Sequence, residues 1–264
     1  MSSPINRIVG KVVERLDVRE QSGARLPKLS DRQATTLWYL RNVKLLRIFP
    51  AERIRKLVSD TSLRQLAKRE NWLVPEHEQH IYILADGGIK LSRLSALGRR
   101  LVEGILSPGD MFGSLSGANR RVYQVEALSS ATLLRMRREA LATLLRAEPA
   151  LALEVVQMLE ARERRLSNRL EGLVFKDVPT RVVEVLIQLS HDHGEPCQHG
   201  FAVDVRVSQQ DIADLVGASR QMVNRVIRDL TIKLYVKRKG RVLCILNMAR
   251  LERLAESLDA SPRE

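Results

Sequence analysis

The chain has 264 residues, 44% of them hydrophobic and 4% aromatic, which fits one or two ordinary globular domains and excludes collagen-like, low-complexity and wholly disordered chains. Its 44 Lys and Arg outnumber 31 Asp and Glu, giving a formal charge of +13, so a polyanionic partner is the first expectation. Cys197 and Cys244 are the two cysteines, too few for a four-thiolate metal site, a cysteine-held iron–sulfur centre or a disulfide scaffold, and they read as reduced cytosolic thiols.

From Pro4 to Leu16 the apolar residues Ile5, Ile8, Val9, Val12, Val13 and Leu16 form one stripe of a helix. Its other face is basic, so docking on its own protein and lying on a membrane surface are both physically open; the lack of an aromatic anchor favours docking. No signal-like apolar core occupies Met1 to Arg7, and no run approaches 18 apolar residues, so a cytoplasmic protein with no membrane partner is expected. Glu20 to Ser30 reads as a linker, and a helical pattern follows from Asp31 to Leu66, broken near Pro50.

Between Trp72 and Met136 the pattern changes to short alternating runs separated by turn formers such as Asp86-Gly87-Gly88 and Pro108-Gly109-Asp110. Six or so strands at this spacing imply an antiparallel sandwich or roll. Helical periodicity returns at Arg138, pauses at Pro149 and continues to Val174. A helix of that length has two readings: packing on its own domain, or pairing with a second copy through Leu159, Leu166, Leu170 and Leu173. Arg162 to Arg165 interrupt any simple heptad run.

Asp177 followed by Pro179 is a helix start, and a new domain is placed there. The helix from Arg181 to His191 is expected to end in a polar loop, His191 to Gly200. His191, His193, His199 and Cys197 in that loop fix no complete ligand set, so no metal is expected.

Ser208-Gln209-Gln210-Asp211 has the form of a capping box, and Gly217 stops the helix that it opens. Ser219 can cap a second helix, Arg220 to Leu230, that buries Val223, Val226, Ile227 and Leu230 and exposes Arg220, Gln221, Asn224, Arg225 and Arg228. Helix, tight turn and helix with planar donors on one face is what reading a major groove requires. Two apolar strands, Leu234 to Val236 and Arg241 to Ile245, are expected to carry Lys237-Arg238-Lys239-Gly240 as a basic hairpin tip against phosphate. The unit reads as a winged helix-turn-helix.

Over roughly Trp38 to Ala255 the chain resembles the CRP/FNR family of bacterial transcription regulators. The stretch Val207 to Leu230 carries the likeness, with Gly87-Gly-Ile-Lys-Leu91, Gly98-Arg-Arg-Leu101 and Pro108-Gly-Asp-Met-Phe-Gly113 in family order upstream. The resemblance implies an α+β fold: an N-terminal antiparallel β-roll of cyclic-nucleotide-binding type with flanking helices, a long dimerisation helix and a C-terminal winged helix-turn-helix. The expected division is 1–34 extension, 35–148 effector β-roll, 149–176 dimer helix and hinge, 177–256 DNA-binding domain and 257–264 tail. It also implies a homodimer on palindromic double-stranded DNA, with RNA polymerase as a further partner. Arg220 and Arg225 match the family's two base-reading arginines, while Gln221 replaces its acid. Ser208, Gln209, Ser219 and Lys239 are expected to approach phosphate.

In cyclic-AMP-binding members a Glu after the Phe-Gly holds the ribose, and an Arg followed by a small hydroxyl residue holds the phosphate. Here Arg121 stands in the place of the phosphate-holding Arg, where a charge-assisted contact can still form, but Ser114 stands in the Glu place, Val122 in the hydroxyl place and Tyr123 where a small residue is usual, so the ribose anchor is lost. The candidate effector residues are therefore Arg99, Arg100, Gly113, Ser114, Arg120 and Arg121. A scaffold without effector, a cyclic dinucleotide held by the arginines, a haem sensor resting on His77 and His80, and cyclic AMP itself are the readings left open; no resident cofactor is expected. No P-loop, Gly-x-Ser-x-Gly or His-Glu-x-x-His motif occurs, so an enzyme is not expected.

Overall fold

The computed structural model describes residues 30–259 apart from 48, 76–77, 96, 99, 117–121, 198–199, 204–206 and 240–241; the side chains of 44, 51, 193, 195–197, 202–203 and 239 are also outside the description. The helix expected at Pro4 to Leu16 lies outside these residues. The first described helix, α1 (Asp31–Asn42), starts with a capping box between Ser30 and Gln33 and buries Thr36, Tyr39 and Leu40. After Pro50 comes the short α2 (Ala51–Leu57).

The helical pattern expected to reach Leu66 ends earlier, because Thr61–Leu66 is strand β1, paired antiparallel along its whole length with β8 (Ala131–Arg137). Leu63 and Leu66, three apart, fit the helical period; in the strand they fall on opposite faces, Leu63 against the outer core and Leu66 in the roll interior, and the distant strand that satisfies the backbone decides. The other strands are β2 (Asn71–Val74), β3 (His80–Asp86), β4 (Ile89–Leu94), β5 (Arg100–Leu106), β6 (Met111–Phe112) and β7 (Val122–Ala127). They form two four-stranded antiparallel sheets, ordered β1-β8-β3-β6 and β2-β7-β4-β5. This is the expected roll.

The interior between the sheets is aromatic. Tyr82 stacks on Phe112 at 5.1 Å between ring centres, Trp72 meets Tyr82 edge-on at 4.9 Å, and Phe112 meets Tyr123 edge-on at 6.0 Å. Ile89, Leu91, Val125 and Leu133 complete this core. A second core joins the outer face of the first sheet to α1, α2, α3 (Arg138–Ala147) and the start of α4 through Leu40, Ile54, Leu134, Leu141 and Leu151. Helix α4 (Pro149–Phe175) has 27 residues, about 40 Å at 1.5 Å per residue.

A third core belongs to the C-terminal unit: α5 (Val178–His193), α6 (Gln209–Val216), α7 (Arg220–Ile232) and α8 (Met248–Asp259) around Val182, Val183, Leu186, Val216, Val223 and Ile245. Asp177 caps α5 by accepting from the Thr180 amide at 2.9 Å. The polar loop expected at His191–Gly200 is instead largely a hairpin, β9 (Gly194–Cys197) and β10 (Gly200–Val203), the latter paired in turn with the second of the two wing strands. The wing is β11 (Val236–Lys239) and β12 (Val242–Ile245). Lys237, Arg238 and Lys239 therefore lie in a strand, not at the hairpin tip.

Gly87, in the turn from β3 to β4, has φ +85°, and a Cβ there would sit 2.2 Å from the Ser130 carbonyl oxygen and 2.8 Å from the Ala131 Cα. Backbone cannot yield as a side chain can, so Gly87→Ala should destabilise the chain by more than about 2 kcal/mol in denaturant melts. Gly104→Ala, whose added Cβ would meet nothing within 4 Å, should stay within about 1 kcal/mol of wild type.

Candidate nucleic-acid interface

Helix α6 begins where the sequence places it. The Ser208 side chain accepts from the Asp211 amide at 3.1 Å, and Asp211 Oδ2 accepts from the Ser208 amide at 2.8 Å and from its hydroxyl at 2.6 Å. Gly217 ends the helix at φ 64°, ψ 43°, the left-handed geometry that glycine adopts most easily. Ser219 then caps α7, accepting from the Met222 amide at 3.3 Å. Val223, Ile227 and Leu230 bury one side of α7, and Arg220, Gln221, Arg225 and Arg228 are exposed on it. Asn224, expected on the exposed face, is half-buried with its side-chain oxygen out of water and no hydrogen-bond partner among the described residues.

The winged unit docks on the roll through charged groups. On β4, Ile89 and Leu91 point into the roll while Lys90 and Ser92 lie on the opposite face, yet all four are buried. Lys90, 4% exposed, pairs with its cross-strand neighbour Glu126 at 2.7 Å and with Asp211 of α6. Arg100 reaches Asp214 at 3.1 Å. Arg169 of α4 donates to the Val102 carbonyl at 2.7 Å and the Asp214 carbonyl at 2.8 Å. Burial pushes the Asp211 carboxyl up, but the bonds from Lys90 and Ser208 outweigh it and hold the group below its ordinary 3.8. For Lys90 burial acts downward and the two carboxylates more than offset it, so its ammonium titrates above its ordinary value.

Of the candidate effector residues, Arg99, Arg120 and Arg121 lie outside the described residues. Gly113 has φ +120° and a Cβ there would come within 3.0 Å of the His80 carbonyl oxygen; Ser114 Oγ is 3.5 Å from Ser116 Oγ. Arg100 is not beside them: it lines the cleft between the roll and α6. His77 is outside the description, and the His80 Nδ1 is bonded to Glu78 and 3.1 Å from Arg135. No group of three or more His, Cys, Asp or Glu that could hold a metal occurs among the described residues, and no described helix is long and apolar enough to cross a membrane.

Residues 67–148 match the cyclic nucleotide-binding domain, and residues 180–254 match the Crp-like helix-turn-helix domain. The chain is 33% identical over 184 residues to the CRP-like cAMP-activated global transcriptional regulator of Mycobacterium tuberculosis, covering 68% of this chain and 81% of that protein. The chain belongs to the CRP/FNR family. A second relative, the global nitrogen regulator of Nostoc sp., is 30% identical over 156 residues, 58% of this chain and 70% of that protein. The solved structure of FixK2 from Bradyrhizobium japonicum shares the fold, with a TM-score of 0.64 over 77% of this chain and 99% of that one at 22% identity. Like these regulators, the CRP/FNR chain described here is a DNA-binding transcription regulator with an effector-type domain, and it is not an enzyme.

Sequence reasoning missed the interdomain set Lys90, Arg169 and Asp214. The available signal was Lys90 itself, a cation inside the apolar run Gly88-Ile-Lys-Leu91. The set has a pH signature. Stability from Asp211, whose folded value is depressed, is full above the ordinary carboxylate range and is lost as pH falls through the lower folded value. Stability from Lys90 is full below the ordinary lysine range and is lost as pH rises through the higher folded value. The domain contact should hold from about pH 5 to about pH 9 and loosen below about pH 4. Hydrogen exchange of the first-turn α6 amides, corrected for intrinsic rate, should rise there before that of β8.

Proposed function

We propose that this regulator reads a two-fold symmetric DNA site as a homodimer, and that it needs no cyclic mononucleotide to do so. The observation that carries the reading is α7, capped by Ser219, buried on one side and open on the other with Arg220, Gln221 and Arg225. Each Arg can donate two bonds to guanine O6 and N7, and Gln221 can pair bidentately with adenine. Gln221 in place of an acid shifts the preferred base at that step. Ser208, Gln209 and Ser219 sit at the two helix N-termini, where amides and dipole favour phosphate, and Lys239 adds a cation from the wing.

Helix α4 supports the dimer. Val156, Leu159, Glu163, Leu166, Leu170 and Leu173 recur at alternating spacings of three and four, and all five apolar members are exposed, the pattern of a two-stranded seam with one polar position. Arg162 and Arg169, which flank the seam, are turned to Glu103 and to Val102 and Asp214 of their own chain, so they do not break it. Two-fold pairing along α4 would set the recognition helices about 34 Å apart in successive major grooves.

The roll supports independence from a mononucleotide. Tyr123, at a place where cyclic-AMP-binding members keep a small residue, is buried against Phe112, and Ser114 cannot replace a carboxylate on a ribose. Arg100, weighed as a ligand residue for a cyclic dinucleotide, is engaged with Asp214.

Selection from a random DNA pool by the ligand-free protein should enrich a palindrome; enrichment of nothing by folded protein would overturn the reading. Arg220→Ala should cost about 1–3 kcal/mol on the selected site and relax preference at one base pair. An equal loss on all DNA sequences would remove specific readout. Leu170→Glu should give a monomer by light scattering with at least tenfold weaker binding, roughly the loss of one half-site.

A further inference from the structure

The two domains meet on one face of α6. Asp211 and Asp214, three residues apart, are held by Lys90 of β4 and Arg100 of β5; the Asp214 carbonyl is held by Arg169 of α4. Ile105 of β5 packs on the winged core beside them. In this docked arrangement Ser208, Ser219, Arg220, Gln221 and Arg225 all stay exposed, with Ser208 and Arg220 lining the cleft beside the roll, so docking leaves the reading side chains open. Docking also sets a cation against Asp211, in the first turn of α6, and against Asp214 one turn further on, while Lys68, Arg69 and Arg220 line the adjoining cleft of about 540 Å³. A DNA backbone arriving there meets less negative charge than the isolated winged unit would present.

We infer that Lys90, Arg100 and Arg169 are positioning residues that hold the winged domain on the β-roll in its DNA-binding orientation, so that side chains of the chain itself do what an effector would otherwise do. The inference rests on the DNA-reading proposal and gives its regulation. The Lys90–Asp211 pair is buried, where desolvating the charges costs about as much as their attraction returns, and Arg100–Asp214 is partly exposed, so neither is mainly a source of stability. A network of this kind is suited to fixing an angle between two units that each have a complete apolar core. The orientation is then a property of the folded chain, present before any ligand arrives.

The sharpest variant is Asp214→Asn in the full-length, ligand-free protein, measured on the selected palindrome. Charge alone predicts tighter binding, because a negative group near the phosphates is removed. Loss of positioning predicts weaker binding, by about fivefold or more, the lower range of typical site-to-site coupling. Arg100→Gln should weaken binding alongside it. Lys90→Met should weaken it by at least about tenfold with faster hydrogen exchange in α6, while Lys90→Arg should retain most of the affinity. If Lys90→Met fails the circular dichroism check for folding, the partly exposed Asp214 and Arg100 variants decide. Wild-type protein that binds while Asp214→Asn and Arg100→Gln bind equally well or better overturns this inference alone. Wild-type protein that selects no DNA overturns the DNA-reading proposal, and this inference with it.

Discussion

One buried lysine ties the two halves of this regulator together. Lys90 is buried on the outer face of a sheet, between a carboxylate of its own sheet, Glu126, and one of the winged domain, Asp211. An ammonium in that place is tolerable only with both partners present, so the position of α6 over the sheet is fixed by charge geometry. The roll closes around its own aromatic and aliphatic interior and the winged unit around Val182, Val223 and Ile245. Each unit has its own core, and the network between them settles their angle.

The interior of the roll and its outer face have separate work. Inside, Trp72, Tyr82, Phe112 and Tyr123 make a continuous ring contact, which makes the roll a rigid support. Outside, β4 and β5 present Lys90, Arg100 and the Val102 carbonyl to α6 and α4. Helix α4 serves both sides of this arrangement: Arg162 and Arg169 reach back to the same chain, while Val156, Leu159, Leu166 and Leu170 remain exposed. The same helix that proposes a partner copy therefore also bears on the orientation of the reading head.

What the sequence makes legible is local. The capping box Ser208 to Asp211, the stop at Gly217, the cap at Ser219 and the Asp177 start all depend on residues within four positions, and each stands where the sequence puts it. What it hides is pairing at a distance. Thr61 to Leu66 fits a helix until β8 supplies a ladder, and Gly194 to Cys197 reads as loop until β10 joins it to the wing sheet. The Lys90 to Asp211 contact spans 121 positions; Lys90 alone marks an anomaly in a strand, and nothing nearby names its partner. Asn224 shows the same limit on a smaller scale, because a polar residue on a polar helix face gives no sign that its neighbours bury it.

The central claim is that the docked arrangement is the one that binds DNA. Its most direct measurement locks that arrangement: Arg100→Cys and Asp214→Cys are joined by a short bismaleimide in a chain with Cys197 replaced by serine, and affinity for the selected DNA is compared before and after linking. The link should restore the affinity lost with the ion pair, to within about twofold of the unlinked wild type, since a preorganised orientation carries no ordering cost. A linked protein that no longer binds, while the unlinked variant does, would show that the winged domain must leave the roll to reach DNA, and the account would fail.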